Sequence, residues 1–187
     1  MLQSSKVIGG IRMKELVDVF DHAGNICKAL QKGILLTTKA GDRVNTMTIG
    51  WGKIGIEWNR PVFIAYVRET RYTKQMLEEC GEFTVNIPYH NVDSKILAYC
   101  GKMSGRDTDK ISDMGLTLVD SDVISVPGIQ QLPLTLECKV IYKQKQDLSC
   151  LPQGILDRFY PVIDESGFQD YHIAYYGEIV NAYLIQE

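Results

Sequence analysis

Little in this sequence suits a protein that binds nucleic acid, spans a membrane or is stapled by disulfides. Net charge is −3, with 20 lysines and arginines scattered among 23 acidic residues, so no basic stripe exists to neutralise a row of phosphates, and nucleic acid is not an expected partner. No uncharged apolar run reaches the roughly 18 residues a bilayer-crossing helix needs. Near the start, Lys14, Glu15 and Asp18 interrupt the chain before a signal-type apolar stretch can form. No membrane partner and a cytoplasmic location are therefore expected. The cysteines, at 27, 80, 100, 138 and 150, are odd in number, lack a CxxC pair and have no histidine at zinc-like spacing. That leaves no legible metal site and no disulfide framework. Cys80 and Cys100, without an activating histidine or base beside them, read as packing residues. No GxGxxG opens a helix after a strand-like run, since the match Gly50–Gly55 falls inside the strand-like segment Val44–Trp58, so a separate dinucleotide-binding domain is not expected.

What is present is a chain of 187 residues, 45% hydrophobic and 23% charged, proportions that fit one domain over residues 1–187 with a single core. Gly33–Lys39, a turn at Ala40-Gly41-Asp42 and a long segment Val44–Trp58 read as a hairpin, and Pro61 opens a buried strand that runs to Val67. Glycines 50, 52 and 55 mark bulges or a place where a ligand lies against the backbone. Tyr72–Cys80 abandons the two-residue alternation, with Thr70 or Thr73 as cap and Gly81 as stop, and reads as a short helix. Glu82–Ile87 returns to strand. Asp93–Tyr99 and Asp107–Met114 are two further helices, and Leu116–Val119, Val123–Val126, Leu134–Lys145 and His172–Ile185 are strand-like. Ser149–Tyr171 fits a mobile lid, a dimer arm or a plain loop. Many uneven strands with short helices between them predict a mainly β fold, a closed or partly closed antiparallel barrel.

The residues with chemistry in them fall between Asn45 and Asn86. Asn45-Thr46-Met47-Thr48 followed by Trp51-Gly52 sets small polar groups and accessible backbone beside an aromatic, as a flat heteroaromatic ring with polar edges requires; threonine and glycine in an edge strand also occur without any ligand. Arg68-Glu69-Thr70-Arg71-Tyr72-Thr73 lies where a strand gives way to a helix N-terminus. There unpaired N–H groups, two guanidiniums and two hydroxyls would suit a phosphate monoester. The alternative is a capped surface helix whose arginines pair with Glu78, Glu79 or Glu82. His172 opens a strand, where it is either catalytic or a structural hydrogen-bond partner; His22 and His90 have nothing comparable around them. The acidic pairs Glu78-Glu79 and Asp107–Asp109 lie in or beside helices, where solvated charge is the ordinary role, so hydrolysis by paired carboxylates is discarded.

These segments, together with Pro61-Val62-Phe63, Tyr66-Val67-Arg68, Gly81-Glu82-Phe83-Thr84-Val85-Asn86, Ser104-Gly105-Arg106-Asp107-Thr108-Asp109-Lys110 and Gly177-Glu178-Ile179-Val180, resemble the flavin reductase-like FMN-binding split-barrel family, and its flavoredoxin-type branch in particular. The resemblance spans about residues 26 to 183. It implies a split β-barrel of Greek-key character, paired as a homodimer with FMN near the subunit interface. It also implies that Thr46, Met47, Thr48, Trp51 and Gly52 lie along the isoalloxazine, with Asn45 at the start of the same strand. Arg71, Tyr72 and Thr73, with Arg68 beside them, would take the phosphate, and Asn86, Lys102 and Ser104 would serve the ribityl or phosphate region. His172 would face the flavin and a nicotinamide, although the family's reductases usually read Gly-Asp-His where Asp170-Tyr171 precedes His172 here. Lys102 or Arg106 would supply positive charge near the pyrimidine edge of the ring.

Three functions follow from that resemblance. One is an NAD(P)H-dependent FMN oxidoreductase, with NADH or NADPH as co-substrate meeting the flavin directly. The second is an electron carrier that keeps FMN as a prosthetic group and exchanges electrons with a redox protein partner. The third is a non-catalytic flavin-binding module.

Overall fold

Alternation of buried and outward side chains builds most of the chain into antiparallel strands, and a computed structural model describes residues 13–89 and 92–186. His90 lies outside them. In chain order the elements are β1 (Lys14–Leu16), α1 (Ala23–Leu30), β2 (Ile34–Ala40), β3 (Arg43–Ile49), β4 (Gly52–Glu57), β5 (Arg60–Arg68), α2 (Tyr72–Cys80), β6 (Glu82–Ile87), α3 (Ser94–Lys102), α4 (Lys110–Asp113), β7 (Leu118–Val119), β8 (Gly128–Ile129), β9 (Leu134–Lys145), α5 (Gln153–Phe159) and β10 (His172–Ile185). The main sheet runs β3-β2-β6-β9-β10-β5-β4, with β1 along the far end of β10. β3 and β4 sit at opposite ends of this path, yet only Gly50 and Trp51 join them in the chain. The sheet therefore curls until its two edges approach without pairing, which makes it a split barrel. The partnerships β2–β6 and β5–β10 skip over neighbours in sequence and give the Greek-key character.

The barrel interior takes alternate residues of the main strands, among them Leu36, Met47, Phe63, Val67, Phe83, Leu136 and Tyr175. Ile26 and Leu30 of α1 and Leu77 of α2 pack against them. Each fully buried aliphatic or aromatic side chain stabilises the fold by about 1.5–3 kcal/mol. A second cluster forms on the outer face of β2, where Leu35 meets Ile96 and Cys100 of α3, Ile129 of β8 and Leu132 just beyond it. Elsewhere on the outside of the sheet Trp58 and Tyr176 each meet Tyr142 edge to face, with Trp58 56% and Tyr142 43% exposed.

Several elements differ from the sequence expectation. Val44–Trp58 is two strands rather than one, and Gly52 is small because a Cβ there would come 2.7 Å from the Phe63 ring. Val123–Val126 is no strand. Its backbone turns inward to the fully buried Glu137, whose carboxylate accepts N–H bonds from Asp122, Val123 and Ile124 at 2.8, 2.8 and 3.2 Å and the Asn181 amide at 3.1 Å. The Asp107–Met114 helix shrinks to α4 because Asp109, not Asp107, is the residue whose carboxylate caps it. Replacing Glu137 with alanine would leave three backbone N–H groups, one of them buried and two half-buried, without their acceptor. We expect a loss of about 3 kcal/mol or more, read as a lower urea midpoint at unchanged m-value; an unaltered midpoint would contradict the role assigned to this carboxylate.

Candidate functional site

Where β5 leaves the barrel the chain turns at Arg68–Arg71, with the Arg71 N–H bonded to the Arg68 carbonyl at 3.1 Å, and α2 begins. Arg71 is the N-cap residue and makes no side-chain capping bond, whereas Asp93 and Asp109 cap α3 and α4 with their carboxylates. The threonines expected as caps are engaged elsewhere. Thr70 donates its N–H and its hydroxyl to the Asp170 carboxylate at 3.1 and 2.9 Å, and Thr73 accepts from the Asn45 amide at 3.0 Å. The first turn of α2 is thus left without a side-chain acceptor, with the partial positive charge of a helix start.

That turn forms one wall of a cleft of about 470 Å³, within the range of small-molecule sites. Asn45 and Met47 of β3 form a second wall, Met103-Ser104-Gly105-Arg106 a third, and Arg68, Lys110 and Asp170 complete the lining. The fit around Gly105 is tight: a Cβ there would overlap the Asn45 amide oxygen and lie 3.1 Å from the Tyr72 ring. Arg43 donates to the Gly105 carbonyl, and the guanidiniums of Arg43 and Arg106 lie 5.0 and 5.3 Å from the centre of the Tyr72 ring.

Charge in this cleft is mostly positive. Among the described residues Arg71 forms no ion pair; its guanidinium donates to the Gly101 carbonyl at 3.4 Å. Glu78, one of its proposed partners, is paired with Lys143 and accepts from the Tyr175 hydroxyl. Asp170 stands 3.8 Å from Arg68. Lys110 is 4% exposed, and its ammonium donates to the Cys100 carbonyl at 3.3 Å. Burial, with Arg71 adding repulsion, pulls its pKa down to about 8.

The structure thus brings Asn45, Met47, Arg68, Arg71, Tyr72, Thr73 and Ser104 to one cleft, but not the other candidates. Thr46 and Thr48 project from the opposite face of β3: Thr46 donates to the Leu36 carbonyl at 3.3 Å and Thr48 to the Leu97 carbonyl at 2.6 Å. Asn86 is fully buried on that same outer face, donating to Thr37 and Thr84 and accepting the Ile129 N–H at 2.8 Å. Period-two alternation explains all three, since Asn45 and Met47 point one way and their neighbours the other. Lys102 ends α3 exposed and does not line the cleft. Sequence reasoning missed Lys110, Met103 and Asp170 as lining residues. Lys110 follows its capping aspartate, yet no local signal says that the first residue of α4 is buried.

Trp51 and His172 form a separate aromatic group beside Arg68, which pairs with His172 across β5 and β10. Trp51 lies over His172 with ring centres 4.7 Å apart and meets Phe159 edge-on at 5.2 Å. Burial, then repulsion from Arg68, lowers the His172 pKa to about 4, so the imidazole is neutral near pH 7. The segment left open in sequence is an ordered strap containing α5 and a bridge between Val162 and Gln169. Arg68 holds it by donating to the carbonyls of Phe159 and Asp170 at 2.9 and 2.7 Å.

The split antiparallel barrel is a fold shared with flavin reductase-like proteins of known structure. The family described as flavin reductase like domain matches residues 31–187, and the chain belongs to it. Flavoredoxin of Desulfovibrio vulgaris (Miyazaki F) has a similar fold, with a TM-score of 0.61 and 24% identity over 83% of this chain and 69% of that one. Flavoredoxin from Methanosarcina acetivorans, with a TM-score of 0.61 and 22% identity, covers 99% of this chain and 77% of its own. A curated relative, an uncharacterized protein of Archaeoglobus fulgidus, is 31% identical over 100 residues, 54% of this chain and 55% of the relative. The chain thus spans little more than half the length of that relative.

The depressed pKa of Lys110 fixes a sign. Folding disfavours its charged form, so the cost to stability is fully present below about pH 8 and disappears as pH rises through the ordinary value of about 10.5. Lys110→Met should therefore raise the melting temperature of the ligand-free protein at pH 7 and leave it little changed at pH 10.5. An equal shift at both values, or a destabilised variant at pH 7, would show that the ammonium is not held at a cost.

Proposed function

We propose that the chain is an FMN-binding oxidoreductase that takes electrons from NADH or NADPH, with the flavin phosphate in the cleft between α2, Ser104 and Lys110. The observation that carries this reading is the gathering of Arg71, Arg106 and Lys110 with an uncapped helix start, where the carboxylate that lines the cleft, Asp170, is already held by Thr70 and Arg68. A phosphate dianion supplies the charge and the acceptor oxygens that this donor set lacks. The cleft continues along Asn45 and Met47 on β3, the sheet's unpaired edge, toward Arg68. A flat ring with polar edges finds there both backbone groups and an apolar wall.

When bound, FMN would supply the hydride and electron chemistry. The protein's part is to bind and exclude water: Arg71, Lys110 and the α2 amides hold the phosphate, Met47 and Met103 shield an apolar surface, and Trp51, His172 and Phe159 close the neighbouring end of the barrel. A second reading, an electron carrier serving a protein partner, is favoured by the seating of Trp51 and Phe159 against His172, which leaves that histidine only 7% exposed. A homodimer is supported by the aromatic face of Trp58, Tyr142 and Tyr176, which a second copy would cover; sedimentation showing only monomer would remove that element.

The test compares FMN with riboflavin. The wild type should bind FMN at least about 10-fold more tightly than riboflavin, the equivalent of about 1.4 kcal/mol, and Arg71→Ala should weaken FMN binding while leaving riboflavin binding unchanged. Equal affinities for the two flavins would overturn the phosphate assignment. Stopped-flow mixing of the loaded protein then separates the roles: bleaching by NADH or NADPH marks the reductase, bleaching only by a reduced protein marks the carrier, and none by either marks a binding module.

A further inference from the structure

His172 does not stand alone on the strap. Its Nδ1 lies 2.9 Å from the Tyr160 hydroxyl, and that hydroxyl lies 2.6 Å from the Gln146 amide oxygen. Tyr160 is 2% exposed and His172 7%, so the contact between them is buried, while the one to Gln146 is half-buried. A phenol has one proton to give. Gln146 Oε1 can only accept, so the Tyr160 proton goes to it, and the phenolic oxygen then needs a donor on its other side. His172 Nδ1 is the group in place.

The geometry points to Tyr160 as a positioning residue that, through Gln146, fixes His172 as the Nδ1–H tautomer and so leaves Nε2 as a hydrogen-bond acceptor for an N–H group of a redox ligand. Imidazole tautomers are set by the partner of the other nitrogen, and here that partner is an oxygen whose own proton is already committed. The groups around the ring agree with a neutral acceptor. Arg68 and Arg71 oppose a second proton, burial opposes it further, and Asp170 is the one group that favours it. Asp170 is drawn off by Thr70 and Arg68. Arg68 also anchors the Phe159 carbonyl next to Tyr160 and lies 5.4 Å from the Tyr160 ring, which holds the phenol in register. The ligand class this selects is one that presents a ring or carboxamide N–H, as flavins and nicotinamides do, and that part of the inference rests on the flavin reading; the tautomer does not.

The experiment is nitrogen-15 NMR of the imidazoles in the ligand-free full-length protein, with His172 assigned by its loss in H172Q. The wild type is expected to show a neutral ring protonated at Nδ1 and unprotonated at Nε2 at pH 7. Gln146→Leu removes the acceptor, so the Tyr160 proton turns to Nδ1 and the ring should switch to the Nε2–H tautomer. Gln146→Glu keeps an acceptor oxygen and should retain the wild-type tautomer, which guards against reading a general disturbance as a switch. An Nε2–H or doubly protonated ring in the wild type, or a Gln146→Leu spectrum with the Nδ1–H tautomer unchanged, overturns the inference. Because no flavin is present, either result stands whether or not the FMN reading survives. The wild-type tautomer together with no flavin binding would sink only that reading.

Discussion

A strand edge left without a partner organises this molecule. β3 and β4 follow one another in the chain but lie at opposite ends of the sheet, so the barrel curls round and stops short of closing. An unpaired edge is ordinarily a hazard, because its free N–H and C=O groups invite another strand. Here α3, the loop at Ser104 and α4 lie beside β3, and the turn from β5 into α2 lies at its start. The result is a recess with backbone on one side and basic side chains on the other, and everything proposed about ligand binding depends on it.

The same recess carries a cost. Arg68, Arg71, Arg106 and Lys110 share it with a single carboxylate, and burial of Lys110 without a paired anion disfavours its charge. A fold selected for stability alone would put a methionine or leucine at position 110. Functional sites commonly hold such a local penalty while the rest of the structure offsets it. In this chain the offset comes from the barrel core and from the buried polar ladder on the outer face, where Thr37, Thr84, Asn86, Thr135 and Glu137 are satisfied by one another and by the loop above them.

Much of this was legible in the residues. Alternation gave the strands from Ile34 to Ile87 to within a few positions, and the family resemblance carried the barrel and the role proposed for the Arg71–Thr73 turn. What was not legible came from the third dimension. Asn86 enters as a binding residue through the family resemblance, but its register turns its side chain to the Ile129 amide. Thr46 and Thr48 likewise turn away from the cleft by parity, while Asn45 and Met47, one residue away, line it. Lys102 and Lys110 are indistinguishable by local pattern. Only the packing of α4 against β3 and the α3 C-terminus buries the second and leaves the first in solvent. His172 was open between catalysis and structure; its buried contact with Tyr160 gives it a structural partner at 2.9 Å, and a part in the chemistry is proposed for it.

The claim on which the rest turns is that the cleft holds a phosphate dianion against Arg71, Lys110 and the start of α2. Phosphorus-31 NMR of FMN titrated with the protein addresses it directly. The account predicts a bound phosphate resonance, displaced from that of free FMN, that no longer titrates around pH 6 because the surrounding cations hold it in the dianionic form. A bound flavin whose phosphate still titrates like that of free FMN would contradict it.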